Sequence, residues 1–331
     1  MIKRLTVLSA GLIICLSLCA PNVIADVPVE KEGTATIKAL LNQADQMFNS
    51  REYVKSRDIY AKVADKARAT GDNSGLAEAH AMIARTYLVY GKMEIAELML
   101  AKAGETAAPD EPSGWSRYLG ARGRLEWREK NLETATATFK EMYDYCTQNK
   151  LHERAVDAAH MIAITGPPEE QIEWGKKGIA EAQTGNVTVW LGPMWNNLAA
   201  TYEDLGQYAE ALKAYLKARE YHYQYGDEMN RLIADWAVGH AYRLNGDTGQ
   251  ARKWLEPLID RCEKLGAAEY AGRTHKEFGE IELARGNHRA ALYHLGEAEK
   301  KLKAAGMPSW APDDYKNLLA QIEEIKTKAG E

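Results

Sequence analysis

Apolar residues recur at helical spacing along most of the chain, and the clearest example lies between residues 195 and 218. A first stripe with i, i+3, i+4, i+7 spacing consists of Trp195, Leu198, Ala199 and Tyr202. A second stripe consists of Ala211, Tyr215 and Ala218. Each stripe predicts a helix with one apolar face. Gly206 lies between the stripes and can adopt the left-handed conformation that commonly ends a helix. The segment therefore predicts a helical hairpin.

The same hairpin pattern recurs with a step of about 40 residues. The predicted turns are at Arg51, Gly91, Lys130, Gly166, Gly206, Gly246 and Gly286. A small residue that lets the two helices approach closely recurs in the first helix at Ala44, Ala84, Gly123, Ala159, Ala199, Gly239 and Gly279. Two hairpins depart from the pattern, because Gln171 replaces an expected alanine and Arg122 replaces an expected leucine. The periodicity predicts seven hairpins.

The best-preserved hairpin resembles a tetratricopeptide repeat. The matching signature positions are Trp195, Leu198, Ala199, Tyr202, Gly206, Tyr208, Ala211, Tyr215 and Ala218. This resemblance implies an all-α solenoid of about seven tetratricopeptide-like hairpins over residues 36–305. We expect residues 306–331 to form a C-terminal capping helix and tail, because a terminal repeat must shield its apolar face. The cap's expected stripe is Leu318, Leu319, Ile322 and Ile325.

The N-terminal 25 residues have the pattern of a signal peptide. Lys3 and Arg4 precede an apolar run over residues 5–18, which is shorter than the roughly 20 residues needed to cross a bilayer. Val23 and Ala25 supply compact residues for cleavage before Asp26. We therefore expect export, to the periplasm or outside the cell.

A lipid anchor is the alternative to simple cleavage. Residues 16–19 resemble a bacterial lipoprotein box that would place a lipid on Cys19, although Leu18 departs from the small residue expected there. Contact with a membrane is expected only if Cys19 is lipidated or the leader is retained.

Charge and cysteine content narrow the remaining functions. The formal charge is −5, and loss of Lys3 and Arg4 with the leader leaves 40 basic against 47 acidic residues, or −7. Because the sequence has no tract rich in lysine and arginine, we do not expect it to bind a nucleic acid.

Cys146 and Cys262 lie three repeats apart, so we expect two buried free thiols and no disulfide.

No motif for catalysis or for a cofactor is recognisable. His152 and Glu153 precede His160, but the zinc-protease spacing would place the second histidine three residues after the glutamate. The aromatic segment around His222 is expected to pack against the next hairpin, with its tyrosine hydroxyls at water, and not to bind metal. We therefore expect no enzyme, no cofactor and no metal site.

The resemblance places partner binding in a concave groove lined by first-helix residues offset by one position from the hairpin stripe. The expected partner-binding residues are Arg85, Arg117, Arg124, Trp127, Arg128, His160, Asn196, Trp236, His240 and Arg243. Trp236 also fits a core position. The four N-terminal arginines favour an acidic partner segment. In the competing interpretation they pair with Glu78, Glu126 and Glu129. The Lys/Asn/Arg clamp of chaperone-binding relatives is not reproduced.

The resulting hypothesis is a non-catalytic protein–protein interaction scaffold, exported to the cell envelope, that binds a protein or peptide segment. The repeat supports only this class, since the same fold hosts many partners. One alternative is a lipid-anchored structural subunit of an envelope assembly machine. Another is a protein that binds or degrades a small molecule or glycan through groove aromatics and histidines.

Overall fold

The structure is a computed structural model that describes residues 36–329, and within that range it contains sixteen α-helices, one 3-10 turn and no strand. The helices of the first four hairpins are α1 (Ile37–Asn49), α2 (Tyr53–Thr70), α3 (Asn73–Val89), α4 (Met93–Gly104), α5 (Pro112–Arg128), α6 (Leu132–Gln148), α7 (His152–Thr165) and α8 (Pro168–Thr184). After a 3-10 turn (Thr188–Trp190) come α9 (Leu191–Asp204), α10 (Tyr208–Tyr225), α11 (Glu228–Leu244), α12 (Thr248–Leu265), α13 (Ala268–Ala284), α14 (His288–Ala304), α15 (Met307–Trp310) and α16 (Pro312–Ala329). None of these helices is long and apolar enough to cross a membrane.

Consecutive helices α1 to α14 form seven hairpins, so the predicted all-α solenoid is confirmed. In each hairpin the odd-numbered helix is the first and the even-numbered helix the second. The described residues divide into two compact units, an N-terminal unit of residues 36–198 and a C-terminal unit of residues 199–329. The boundary lies inside α9.

All seven predicted turns lie between the two helices of a hairpin. Six of them have positive φ: Arg51, Gly91, Lys130, Gly206, Gly246 and Gly286. Gly166 differs, with extended backbone at φ −71° and ψ 163°. The residue after it is Pro167, and a proline disfavours helical geometry in the residue before it. The fourth hairpin therefore turns through an extended Gly-Pro step.

Within each hairpin the two helices meet at the predicted small residue. All seven such residues of the first helices are buried. A Cβ on Gly123 would lie 2.8 Å from the Phe139 ring, and a Cβ on Gly279 would lie 2.6 Å from Leu295. Real Cβ atoms do not approach other heavy atoms this closely, so the second helix packs directly against the backbone of the first.

The last hairpin is covered by α16, as predicted. Leu318, Ile322 and Ile325 are buried against Leu295 and Leu302 of α14. Leu319 is 39% exposed, so its predicted place in the buried stripe is wrong. The observed stripe follows i, i+4, i+7 spacing, and Leu319 lies about 100° further round the helix.

Cys146 and Cys262 are buried free thiols, which confirms the prediction for these two residues. Burial raises the pKa of the Cys146 thiol to about 12. Cys15 and Cys19 lie outside the described residues.

The tight hairpin contact predicts the result of Ala211→Leu in α10. Ala211 is buried, so the larger side chain should overpack the hairpin and cost about 1–3 kcal/mol of unfolding free energy. Ala209→Leu on the exposed side of the same helix is the matched control and should change stability by less than about 0.5 kcal/mol. Urea unfolding measures both, and equal stabilities of the two variants would show that the hairpin register is wrong.

Candidate functional site on the first helices

The ten expected partner-binding residues all lie on first helices of hairpins. In the N-terminal unit they are Arg85 on α3, Arg117, Arg124, Trp127 and Arg128 on α5, His160 on α7 and Asn196 on α9. In the C-terminal unit they are Trp236, His240 and Arg243 on α11. We call the side of the first helices that carries these residues the first-helix face of each unit.

Most arginines on the N-terminal face belong to a network with carboxylates of other hairpins. We call it the arginine network, and its members are Arg85, Arg117, Arg124, Arg154, Asp45, Glu78 and Asp157. Arg154 Nη2 donates to Glu78 Oε2 at 2.6 Å, and Arg124 Nη2 donates to Asp157 Oδ1 at 2.6 Å. Arg117 pairs with Asp45 through Nη2. Helices α1, α3, α5 and α7 are thereby linked by charge.

Of the four arginines, Arg117 and Arg124 pair with carboxylates as the competing interpretation expects, but largely with other acids. Of the three expected acids, Glu78 belongs to the network, with an oxygen 3.6 Å from Arg117 Nε. Glu126 instead accepts from Arg122 at 2.9 Å within the same helix, and Glu129 accepts from the Asn131 amide at 3.2 Å.

The carboxyl group of Asp157 remains ionised although it is largely buried. Burial opposes its charge, but the guanidinium groups of Arg124 and Arg85 outweigh that effect and lower the pKa of Asp157 to about 2. The Arg124–Asp157 pair is therefore charged throughout the neutral range.

Three other residues expected on the N-terminal face, Asn196, His160 and Trp127, are partly or fully buried. Asn196 is 1% exposed, so the structure contradicts its expected place on a binding surface. The next residue, Asn197, lies about 100° further round α9, and its Nδ2 is 2.9 Å from His160 Nδ1. Burial lowers the pKa of His160 to about 4, so this histidine is neutral. Trp127 is half-buried and packs against the core of the unit.

On the C-terminal face, charged residues of three successive first helices contact one another. They follow one another in the sequence at steps of 37 residues: Glu203 of α9, His240 of α11 and Glu277 of α13. His240 Nε2 is 3.0 Å from Glu203 Oε1, and its Nδ1 is 2.9 Å from Glu277 Oε1. Arg243 donates to Glu277 as well. We call Glu203, His240, Arg243 and Glu277 the charge ladder.

His240 is protonated at neutral pH. Burial disfavours its charge, but Glu277 and Glu203 outweigh burial and raise the pKa of His240 to about 9. Its two neighbouring carboxylates are thereby partly neutralised before any ligand arrives.

A cavity of about 210 Å³ opens beside the charge ladder within the C-terminal unit. We call it the tryptophan pocket. Its lining includes Trp236, His240, Arg273, Lys276, Met307 and Trp310. Two of the three residues expected on this face therefore line the pocket, while Arg243 does not.

Aromatic rings form one side of this pocket. Trp236 is 5% exposed and stacks on His240, with ring centroids 5.0 Å apart, so it is both a core residue and a pocket wall. The Arg273 guanidinium lies 5.7 Å from the ring centroids of both Trp236 and Trp310. Lys276 is half-buried and has no carboxylate within 4.0 Å among residues 36–329.

The aromatic segment at the end of α10 packs as expected, with one difference. His222 is buried, and Tyr223 reaches the next hairpin. The Tyr223 hydroxyl donates to Asp235 Oδ2 of α11 at 2.6 Å instead of facing water alone. Among the described residues, no group of three or more histidine, cysteine or acidic side chains is arranged to hold a metal ion.

Comparison with known proteins agrees with this helical-repeat architecture. A family model described as tetratricopeptide repeat matches residues 192–221. A search of curated proteins finds no match. One repeat of the chain matches the tetratricopeptide-repeat model, and solved structures of similar fold show that the helical hairpins have the tetratricopeptide-repeat fold.

Three of those structures illustrate the likeness. A signal transduction ATPase with a tetratricopeptide repeat sensor, from Pyrococcus horikoshii, has a TM-score of 0.67 at 16% identity, covering 87% of this chain and 44% of its own length. The apo form of RapI has a TM-score of 0.67 at 12% identity, covering 88% and 86%. A Rap protein complexed with competence and sporulation factor has a TM-score of 0.50 at 11% identity, covering 88% and 98%. This chain spans less than half of the P. horikoshii protein.

The two histidines of the first-helix faces should affect the pH dependence of stability in opposite directions. The pKa of His240 is raised from 6.5 to about 9, so its contribution is complete below about pH 6.5 and is lost as pH rises through 9. The pKa of His160 is lowered to about 4, so its contribution is complete above about pH 6.5 and is lost as pH falls towards 4.

Urea unfolding from pH 4 to 10 tests this contrast with His240→Gln and His160→Gln. Relative to wild type, His240→Gln should remove part of the stability loss between about pH 6.5 and 9, where Glu203 and Glu277 face the imidazolium. His160→Gln should remove part of the loss between about pH 6.5 and 4. Parallel curves for the two variants would contradict the opposite charge states.

Proposed function

We propose that this protein is a non-catalytic scaffold that binds a segment of another protein on the first-helix face of its C-terminal unit. The observation that carries the proposal is the tryptophan pocket, because its lining includes Trp236 and His240, two of the residues that the sequence analysis expects to face a partner. Its volume of about 210 Å³ is below the roughly 300–1,000 Å³ typical of drug-sized ligand sites. It suits a single side chain inserted by a larger partner.

The chemistry of the pocket also supports a protein partner. Tryptophan and arginine are the residues most enriched among those that dominate binding at interfaces. Trp310 is 44% exposed beside the Arg273 guanidinium, so an entering side chain can contact an aromatic face and a cation together. One similar fold, the Rap protein named above, was solved in complex with a factor, which supports the same class of function.

Export is part of this proposal, with the cell envelope or the exterior as the destination. It is supported by the basic start and apolar run of residues 1–25, which lie outside the described residues. A lipid on Cys19 would instead make the protein an anchored structural subunit. The mass of the protein recovered from the envelope distinguishes a first residue of Asp26 from a lipidated Cys19.

Binding is tested by cross-linking the full chain to its partner in the host envelope, identifying the partner, and measuring affinity with the purified pair. Trp310→Ala and Lys276→Ala should each weaken binding by about 2 kcal/mol, or roughly thirty-fold in Kd, because they remove contacts at the pocket. An exposed aromatic residue and an exposed lysine outside the pocket provide the matched controls.

The controls are Tyr293→Ala for the aromatic change and Lys213→Ala for the charge change. Tyr293 is 64% exposed on α14, and Lys213 lies on the exposed side of α10. Both should bind as wild type, with melting temperatures checked for all four variants. If the controls lose affinity while the pocket variants keep it, the partner binds another face. If a small molecule or glycan raises the melting temperature and no protein partner is recovered, the alternative function is favoured.

A further inference from the structure

We propose that Arg85 forms an anion site on the first-helix face of the N-terminal unit, and that it binds the carboxylate of an acidic side chain on the partner protein. This proposal rests on the proposed scaffold function and specifies the chemistry of the partner at a second position.

The seven side chains of the arginine network carry one more positive charge than negative, and Glu153, outside the network, also acts on Arg117 through its charge. Its four arginines and three carboxylates leave a net charge of 4 − 3 = +1. Each carboxylate is already engaged: Asp157 by Arg124, Glu78 by Arg154, and Asp45 by both Arg117 and the Tyr60 hydroxyl. The surplus charge therefore has no acid left within the network.

That surplus is located at Arg85. Within residues 36–329, no carboxylate lies within 4.0 Å of its guanidinium. Its neighbours are the Phe48 ring, whose centroid is 5.1 Å away, and the Met82 sulfur, 3.9 Å from Nη1. Both stabilise the position of the side chain, and neither carries a negative charge. Arg85 is thus held in place without a direct carboxylate contact.

The electrostatic surroundings of Arg85 favour an incoming anion. Burial and the charge of Arg124 lower the pKa of Arg85 to about 10, although Asp157 acts in the opposite direction. Nearby, Arg117 Nε is buried without a hydrogen-bond acceptor. An added carboxylate would relieve the repulsion that Arg124 and Arg117 exert on Arg85.

A carboxylate matches this site better than a phosphate does. A guanidinium can bind both oxygens of a carboxylate in one plane. One negative charge balances the surplus of one, whereas a phosphate group carries about −1.5 to −2 at neutral pH. Arg128, on α5, is exposed and also has no carboxylate within 4.0 Å among the described residues. An acidic segment of a protein is the occupant with this chemistry.

The stability of two variants separates a binding role from a structural one. Arg85→Gln removes the unpaired charge, so the melting temperature should stay equal to that of wild type or rise. Arg124→Gln leaves Asp157 buried without its cation, so the melting temperature should fall. A residue that only supports the fold would not combine unchanged stability with lost binding.

The binding test uses the full chain and a fluorescent hexaglutamate peptide, with hexaglutamine as the neutral probe at matched ionic strength. Wild type should bind hexaglutamate selectively, and Arg85→Gln should bind it at least ten-fold more weakly, a loss of about 1.4 kcal/mol. Lys62→Gln is the control, because it removes one exposed charge from the second helix α2 of the same unit. It should bind as wild type.

Any one of several binding results would overturn the site: equal binding of both peptides, unchanged hexaglutamate binding by Arg85→Gln, or an equal loss of hexaglutamate affinity in Lys62→Gln. Tighter binding of inorganic phosphate than of hexaglutamate would overturn it as well. So would a fall in the melting temperature of Arg85→Gln as large as that of Arg124→Gln. If these occur while Trp310→Ala still loses the purified partner, the scaffold function stands without the anion site. If Arg85 discriminates the peptides but no protein partner exists, the scaffold function is the part that fails.

Discussion

The close contact between the two helices of each hairpin is the constraint on which the other features depend. At Gly239 a Cβ would lie 2.7 Å from Leu255, so nothing larger than glycine fits there without displacement. Each such contact fixes how far the first helix is rotated about its axis. Glu203, His240 and Glu277 lie three, six and nine residues before the turns at Gly206, Gly246 and Gly286. Each 37-residue step is thus one 40-residue repeat less about one helical turn, which keeps the three residues on the same side of their unit.

The same alignment explains why long sequence separations become short distances in the N-terminal unit. Arg117 and Asp45 are 72 residues apart, and Arg154 and Glu78 are 76 apart, or about two repeats. Burying such charges costs solvation free energy, which their pairing offsets only when the geometry is good. We infer that these pairs set the register between hairpins more than they add stability. These pairs leave Arg85 and Arg128 of that face without a carboxylate within 4.0 Å among residues 36–329.

The sequence was sufficient to predict the hairpins because each depends on local spacing. Turns, small contact residues and the burial of Ala199 and Ala211 all follow from positions within one repeat. Leu319 and Asn196 were misplaced, because a shift of one residue rotates a helical side chain by about 100°. The spacing of apolar residues does not distinguish two adjacent positions at the edge of a buried stripe.

The candidate site was predicted less completely, because its contacts join different repeats. The first-helix positions of Arg117 and Arg124 were predicted, but their partners Asp45 and Asp157 were not, because the spacing within one repeat does not show which residues of different hairpins meet. The 37-residue spacing of Glu203, His240 and Glu277 was a signal in the sequence that could have identified the charge ladder. Arg273 and Trp310 had no such signal, because the pocket also requires the fold of α15 and α16.

Amide hydrogen exchange, measured on the full chain with and without its purified partner, reports directly which helices the partner covers. Binding on the first-helix face of the C-terminal unit predicts slower exchange in α11, α13 and α15, with α10 and α12 unchanged. Slower exchange confined to α10 and α12 would contradict it and would place the partner on the second helices.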